Sequence, residues 1–180
     1  MVLPNAWRPC ILLVLLPGIL AQGCRNLQED INQDAQRELN EMGGPLSKQC
    51  SLEKRSLGVV TVKLYRLVKM GQERISVVNQ TLHHISEIYS MNLSSVTWPR
   101  DKVENLRVLL DGQLRELETC VRKRGSGSQP RTSSAIEKYF TELSKFLERK
   151  GFSACAWEIT RAETQAYFRQ FPHIMAAISE

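Results

Sequence analysis

Residues 139–158, YFTELSKFLERKGFSACAWE, decide how this chain is read. The aromatic pair Tyr139-Phe140 is followed by Phe146-Leu147, and then, after seven residues, by Cys155-Ala156-Trp157-Glu158. With Ile136 and Leu143, the apolar residues recur at helical spacing and define one inward stripe. Ser134 stands three residues before Glu137, the spacing of a capping box at a helix start. Gly151 ends that helix, and a second one is expected to open near Ser153. Tyr139, Phe140, Phe146 and Trp157 carry large apolar areas and are expected in the core.

The same punctuation continues outward in both directions. The last helix should stop before Pro172. Its stripe of Ala156, Ile159, Ala162, Ala166 and Phe168 is small and scattered, which leaves its orientation open. Upstream, Arg124 to Thr132 holds Gly125, Gly127, Pro130 and several serines, a mobile loop by composition. Before it, Val103, Leu106, Leu110, Leu114, Leu117 and Val121 follow alternating three-four spacing behind Pro99, which suits a first helical position. Gly112 inside that helix costs about 1 kcal/mol relative to alanine, so a close helix contact is expected there. Asn92 to Thr97 is a polar turn. A further helix is expected from Gln72 to Tyr89, with Ile75, Val78, Leu82, Ile85 and Tyr89 as its seam. The first helix opens at Asn26, with Glu29 completing a capping box, and carries Leu27, Ile31, Ala35, Leu39 and Met42. Gly43-Gly44-Pro45 is expected to end it with a left-handed glycine cap.

Between the first two helices lies a long crossover, Gly43 to Gly71, containing Cys50, Lys54, Arg55, Val59, Val60, Leu64, Leu67 and Val68. Val59 to Tyr65 has β-branched character. A lone strand would have no partner, so the segment reads as a packed loop with a short helix. Five helices, one long crossover and no convincing sheet predict an all-α bundle.

The N-terminus reads as a processing signal covering residues 1–23. Arg8 supplies a positive flank, Cys10 to Leu20 is apolar apart from Pro17 and Gly18, and Ala21-Gln22-Gly23 offers small residues for cleavage. The run is shorter than the roughly 20 residues that span a bilayer. One domain, 24–180, is therefore expected to be secreted and soluble, without membrane insertion. The net charge is +5, and loss of Arg8, the leader's one charged residue, takes it to +4. A basic balance can serve nucleic acid, heparin or anionic membrane, but here both signs are interspersed, as on a solvated surface. Arg122-Lys123-Arg124 is the one tight cluster, placed at a helix end where cations complement the dipole. Four cysteines remain after the leader: Cys24, Cys50, Cys120 and Cys155. An even number in an oxidising compartment predicts two disulfides. Wide spacing argues against zinc, and three pairings stay open.

Catalysis finds little support. His83, His84 and Glu87 fall together on a helix, but the remaining histidine, His173, is distant, and a metal or acid–base site needs further converging groups. No phosphate cradle or nucleophile elbow is present, and Gly125-Ser126-Gly127-Ser128 is linker-like. No enzyme activity and no cofactor are expected. Asn79-Gln80-Thr81 and Asn92-Leu93-Ser94 are glycosylation sequons, with Asn92 in a loop and Asn79 beside a helix seam.

The 139–158 signature, together with the positions of Cys24, Cys50 and Cys120, resembles the four-cysteine type I interferons, and Asn92 to Trp98 is similar to the fish-like members. The resemblance implies a five-helix, up-up-down-down cytokine bundle with disulfides Cys24–Cys120 and Cys50–Cys155. Each bridge would close a loop of roughly 100 residues, worth up to about 4 to 5 kcal/mol in the chain-entropy picture. It implies a monomeric secreted ligand that bridges a heterodimeric class II cytokine receptor, whose Janus kinases phosphorylate STAT factors to induce antiviral genes. No nucleic-acid partner is implied. Arg161 and Ala162 match the family's receptor contacts, Gln165, Ala166 and Arg169 fall on or near the same face, and Leu52 and Arg55 are candidates from the crossover. Glu142, Thr160 and Thr164 depart from the family pattern, and the crossover after Cys50 matches it poorly. The alternatives are another class II-type helical cytokine and a basic heparin-binding or antimicrobial secreted protein, the latter supported by Arg122-Lys123-Arg124.

Overall fold

The computed structural model describes residues 32–123 and 133–176. Helix α1 covers residues 32–42. The crossover folds as α2 (Lys48–Glu53), a 3-10 turn η1 (Lys54–Leu57) and α3 (Leu64–Lys69). The long helices α4 (Arg74–Tyr89), α5 (Arg100–Lys123), α6 (Ser134–Arg149) and α7 (Ala154–Phe168) follow, and a short α8 (Phe171–Ala176) ends the described chain. Among the described residues there is no strand. The fold is the up-up-down-down helical bundle.

The seams follow their sequence periods, except that Leu114 is only half-buried and the Val121 side chain lies outside the described residues. Ile75, Val78, Leu82, Ile85 and Tyr89 of α4 are buried, as are Val103, Leu106, Leu110 and Leu117 of α5 and Ile136, Tyr139, Phe140, Leu143, Phe146 and Leu147 of α6. Burying one such side chain is worth about 1.5–3 kcal/mol, so these stripes are the main apolar glue of the bundle. Helix α4 is its centre and packs on α5, α6, α3 and α8. Glu73 opens α4 by accepting the amides of Ile75 and Ser76, which satisfies two otherwise unpaired donors.

Several local expectations are corrected. The crossover is not a loop with one short helix but three helical pieces, although Val59 to Tyr65 forms no strand, as expected. Neither Gly43 nor Gly44 is left-handed; positive φ occurs at Gly58, Gly71, Gly151 and Phe152. The α6 cap is Ser133, not Ser134, and no side-chain cap bond is made. Instead Gln80 grips the Ser133 backbone, accepting its amide at 2.7 Å and donating to its carbonyl at 3.2 Å. Gly112 faces open space, with nothing within 4 Å of where a Cβ would sit, so it marks no close contact. The helix that opens at Ser153 does stop before Pro172, at Phe168, but a separate short helix, α8, follows and contains Pro172. At the α6 terminus, Gly151 adopts φ 56° and Phe152 φ 53°. The Phe152 amide reaches back to the Leu147 carbonyl at 2.8 Å, the long backward bond of a Schellman ending.

Leu27, Ile31, the Asn26–Glu29 box, Cys24, residues 1–23 and the 124–132 connection lie outside the described residues.

Candidate functional site

The candidate site is the joint between the crossover and α7, and its first tie is covalent. Cys50 of α2 and Cys155 at the start of α7 form a disulfide with Cα atoms 5.0 Å apart, across a sequence separation of 105. This is the pairing implied by the resemblance. Cys120 is also disulfide-bonded, while Cys24 lies outside the described residues. Ser153 caps α7 by accepting the Ala156 amide at 3.3 Å, so the helix begins just before the bridge.

A buried arginine makes the second tie. Arg161 is 2% exposed, although its expected role was a surface contact. Its Nη1 donates to the Leu39 carbonyl at 2.8 Å and its Nη2 to the Gly44 carbonyl. Its Nε and Nη2 also bind Glu158 at 3.0 and 2.7 Å. Leu39 lies in the last turn of α1, where carbonyls lack helical partners and a cation complements the dipole. Arg161 thus caps α1 from across the fold, the task expected of a left-handed glycine. A planar fork with several fixed donors can do this, whereas an ammonium cannot match the geometry. Gly43 is constrained for a different reason: a Cβ there would stand 3.0 Å from Glu158 Oε1 and 3.2 Å from Arg161 Nη2, so the ends of those side chains would have to give way. Trp98 completes the node by donating its indole N–H to Glu158 Oε1 at 2.6 Å.

The third tie is a buried carboxylate. Glu163, 1% exposed, accepts from Thr61 Oγ1 at 2.6 Å and from the Tyr139 hydroxyl, and it pairs with Lys54. Burial alone would raise its pKa, but the hydrogen bonds from Lys54, Thr61 and Tyr139 and the Lys54 charge outweigh it and hold the carboxyl below its ordinary 4.5. Burial, and then the Glu163 charge, push the Tyr139 phenol up, which keeps it a donor. Farther along, the Tyr167 hydroxyl accepts the Val62 amide at 3.1 Å, and Gln170 Oε1 accepts the Leu64 amide at 2.9 Å. Gln170 Nε2 donates back to the Val62 carbonyl at 3.3 Å. The backbone before α3, which has no ladder of its own, is therefore satisfied by side chains of α7 and its extension.

Glu163, Tyr167 and Gln170 were not singled out from sequence. Their spacing, i, i+4 and i+7, was the available signal: a polar stripe where an inner face was due.

The other expected contact residues divide by exposure. Leu52 is 63% exposed, Arg55 and Arg169 are exposed, and Ala162, Gln165 and Ala166 are half-buried. Gln165 Nε2 also donates to the Leu39 carbonyl at 3.2 Å and to Asn40 Oδ1 at 2.9 Å. Trp157 is fully buried between Tyr89 and Trp98, with ring centroids 5.9 and 6.1 Å away. Its N–H donates to the Asn92 carbonyl at 3.0 Å. Asn92 itself is exposed, and its Oδ1 accepts the Ser94 amide at 2.9 Å. Asn79 is half-buried with its Oδ1 enclosed, and Thr81 of its sequon is fully buried and bonded to the Val77 carbonyl at 2.8 Å. His84 stacks on Phe140 at 5.3 Å and bonds Glu87 at 2.9 Å, with His83 3.6 Å from the same carboxylate. Among the described residues no group of three metal-ligating side chains converges, and no helix is long and apolar enough to cross a membrane.

Comparison with known proteins agrees with this architecture. The family model for the interferon alpha/beta domain matches residues 24–178. Bovine interferon alpha-F is 28% identical over 172 residues, covering 91% of this chain and 91% of its own. Bovine interferon alpha-G is 37% identical over 101 residues, covering 53% of each chain. Zebrafish interferon 1 superimposes with a TM-score of 0.70 at 22% identity, over 86% of this chain and 97% of its own. An all-helical fold, the crossover-to-α7 disulfide and a family match across the whole described region lead to one assignment: the chain belongs to the interferon alpha/beta family, a family of secreted cytokines rather than enzymes.

Proposed function

We propose that this chain, freed of residues 1–23 and secreted as a monomer, bridges the two chains of a heterodimeric type I interferon receptor. Receptor-bound Janus kinases then phosphorylate STAT factors and induce antiviral genes. The observation that carries this reading is the triple tie of the crossover to α7, through Cys50–Cys155, Arg161 to the Gly44 carbonyl, and Glu163. It fixes Leu52 and Arg55 beside the helix that bears Ala162, Gln165, Ala166 and Arg169. On α7 those last four stand at i, i+3, i+4 and i+7, one helical face. A face held rigid before binding loses less entropy on docking. Arg161 serves that face from beneath, as a positioning residue. We pair Cys24 with Cys120 as the second bridge, and assign N-glycosylation to exposed Asn92 rather than Asn79, whose sequon is packed into the bundle.

The test is STAT phosphorylation by protein purified from culture medium, in cells with and without each receptor chain. Response only in cells bearing both chains is expected; equal response after deletion of either would overturn the reading. The Leu52→Ala/Arg169→Ala variant should need at least about ten times more protein for the same response, since central interface side chains commonly contribute more than 1 kcal/mol each. Its melting temperature should be unchanged.

A further inference from the structure

We propose that the crossover also presents a binding face for a sulfated polysaccharide chain, built on Lys63, Arg66 and Lys69 and separate from the receptor face. Residues 43–74 contain seven basic side chains and two acidic ones, Glu53 and Glu73. Their surplus of five equals the charge of the entire chain, so the remaining residues carry no net charge. The two acids are engaged: Glu53 pairs with Lys150 at 3.3 Å, and Glu73 caps α4. Lys54 is neutralised by Glu163, and Arg74 reaches the Ile174 carbonyl at 3.3 Å. Lys63, Arg66 and Lys69 are exposed and meet no carboxylate among the described residues.

These three lie on or at the start of α3, three positions apart, spanning about 9 Å at 1.5 Å per residue. Tyr65 sits among them: Arg66 Nε donates to its hydroxyl at 3.3 Å, and the Arg66 and Lys69 cations each stand 6.0 Å from its ring centroid. The phenol registers the field. The Arg66 hydrogen bond, then the Arg66 charge, with Lys63 and Lys69 adding, hold it below its ordinary 10.0. An uncompensated row of cations attracts a linear polyanion and releases its counterions. A flat membrane fits less well. The exposed apolar residues Tyr65 and Met70 are five positions apart, roughly 140° around a helix at 3.6 residues per turn, and form no common wedge. Helix α3 packs on α4 and α8, whereas the receptor face is built on α2, η1 and α7. Both faces can therefore be occupied. Sulfated chains on cell surfaces are the polyanion a secreted ligand meets, and only in that respect does the inference rest on the proposed function.

The experiment is binding of the secreted protein to immobilised heparin across a salt series. A Lys63→Ser/Arg66→Ser/Lys69→Ser variant should bind at least ten times more weakly at fixed salt. The slope of log affinity against log salt should fall by about two units, near 0.7 per lost cation. An Arg122→Ser/Lys123→Ser/Arg124→Ser variant should bind like the parent, and both variants should drive STAT phosphorylation normally in cells lacking sulfated polysaccharide. The inference is overturned by failure of the parent to bind heparin, by unchanged binding of the α3 variant, by loss of binding in the 122–124 variant, or by phosphatidylserine vesicles that capture the protein without competition from heparin. Failure of STAT signalling with intact heparin binding would strike the proposed function alone.

Discussion

The α4–α5–α6 seam and the joint between the crossover and α7 are both buried, but they are held by different physics. The seam is a continuous row of Leu, Ile, Val and aromatic side chains, stabilised by area removed from water. The joint is a covalent bridge plus two buried charged groups, Arg161 and Glu163, whose bonds reach the α1 terminus and the Lys54 and Thr61 side chains of the crossover. Apolar contact is non-directional and tolerates sliding. Fixed donors and acceptors do not, because a displaced buried charge loses its partners at high cost. The seam therefore supplies stability, and the joint supplies placement of the segment that carries Leu52 and Arg55.

The largest separation of the two regions should come from cutting the seam. Phe146→Ala removes a fully buried ring and should cost about 3–5 kcal/mol. That lowers the melting temperature on the order of 10 °C for a chain of this size, with every helix lost together in circular dichroism. Arg161→Ala should come next, at about 3 kcal/mol, because the Gly44 carbonyl loses its donor, Glu158 Oε2 loses its cation, and the Leu39 carbonyl keeps only the longer bond from Gln165. Arg161→Lys should recover less than half of that loss in the same denaturation measurement, since the three donors of an ammonium radiate from one nitrogen and cannot match the spread of the planar fork.

Acid should act on the joint and spare the seam. The folded value of Glu163 lies below its ordinary 4.5. Its contribution is therefore complete above the unfolded value and is lost as pH falls through the folded one. The Val62 and Leu64 amide signals in NMR should hold their positions from neutral pH down to 4.5 and move below it. In Glu163→Gln that acid transition should vanish. The smallest effect is a gain: Gly112→Ala meets nothing within 4 Å and should stabilise α5 by about 0.5–1 kcal/mol in denaturant titration.

The same contrast explains what the sequence made legible. Leu82, Ile85, Leu106, Phe140 and Phe146 announce themselves by period, since burial on a helix imposes three-four spacing. The residues 139–158 also carried the family, because cysteine and tryptophan positions are tied to a bridge and to a cage of rings. The joint was hidden. The resemblance marks Arg161 as a receptor contact, and an arginine in a helix with a weak stripe gives no sign of facing inward. Only the fold brings the Leu39 and Gly44 carbonyls to it, from more than a hundred residues away. Gly43 reads as a helix stop by residue type, while its constraint in the fold is the space taken by Glu158 and Arg161. The crossover reads as a packed loop with a short helix because its helical pieces each fall below the length at which periodicity speaks, and the partners of its backbone sit on α7 and its extension.

Native-state hydrogen exchange of Glu163→Gln tests the separation of joint from seam most directly. The account expects the Val62 and Leu64 amides, whose acceptors are Tyr167 and Gln170, to exchange at least ten times faster than in the parent. The Leu82 and Ile85 amides within α4 should keep their parent rates. Equal acceleration of all four amides, or no change at Val62 and Leu64, would contradict it.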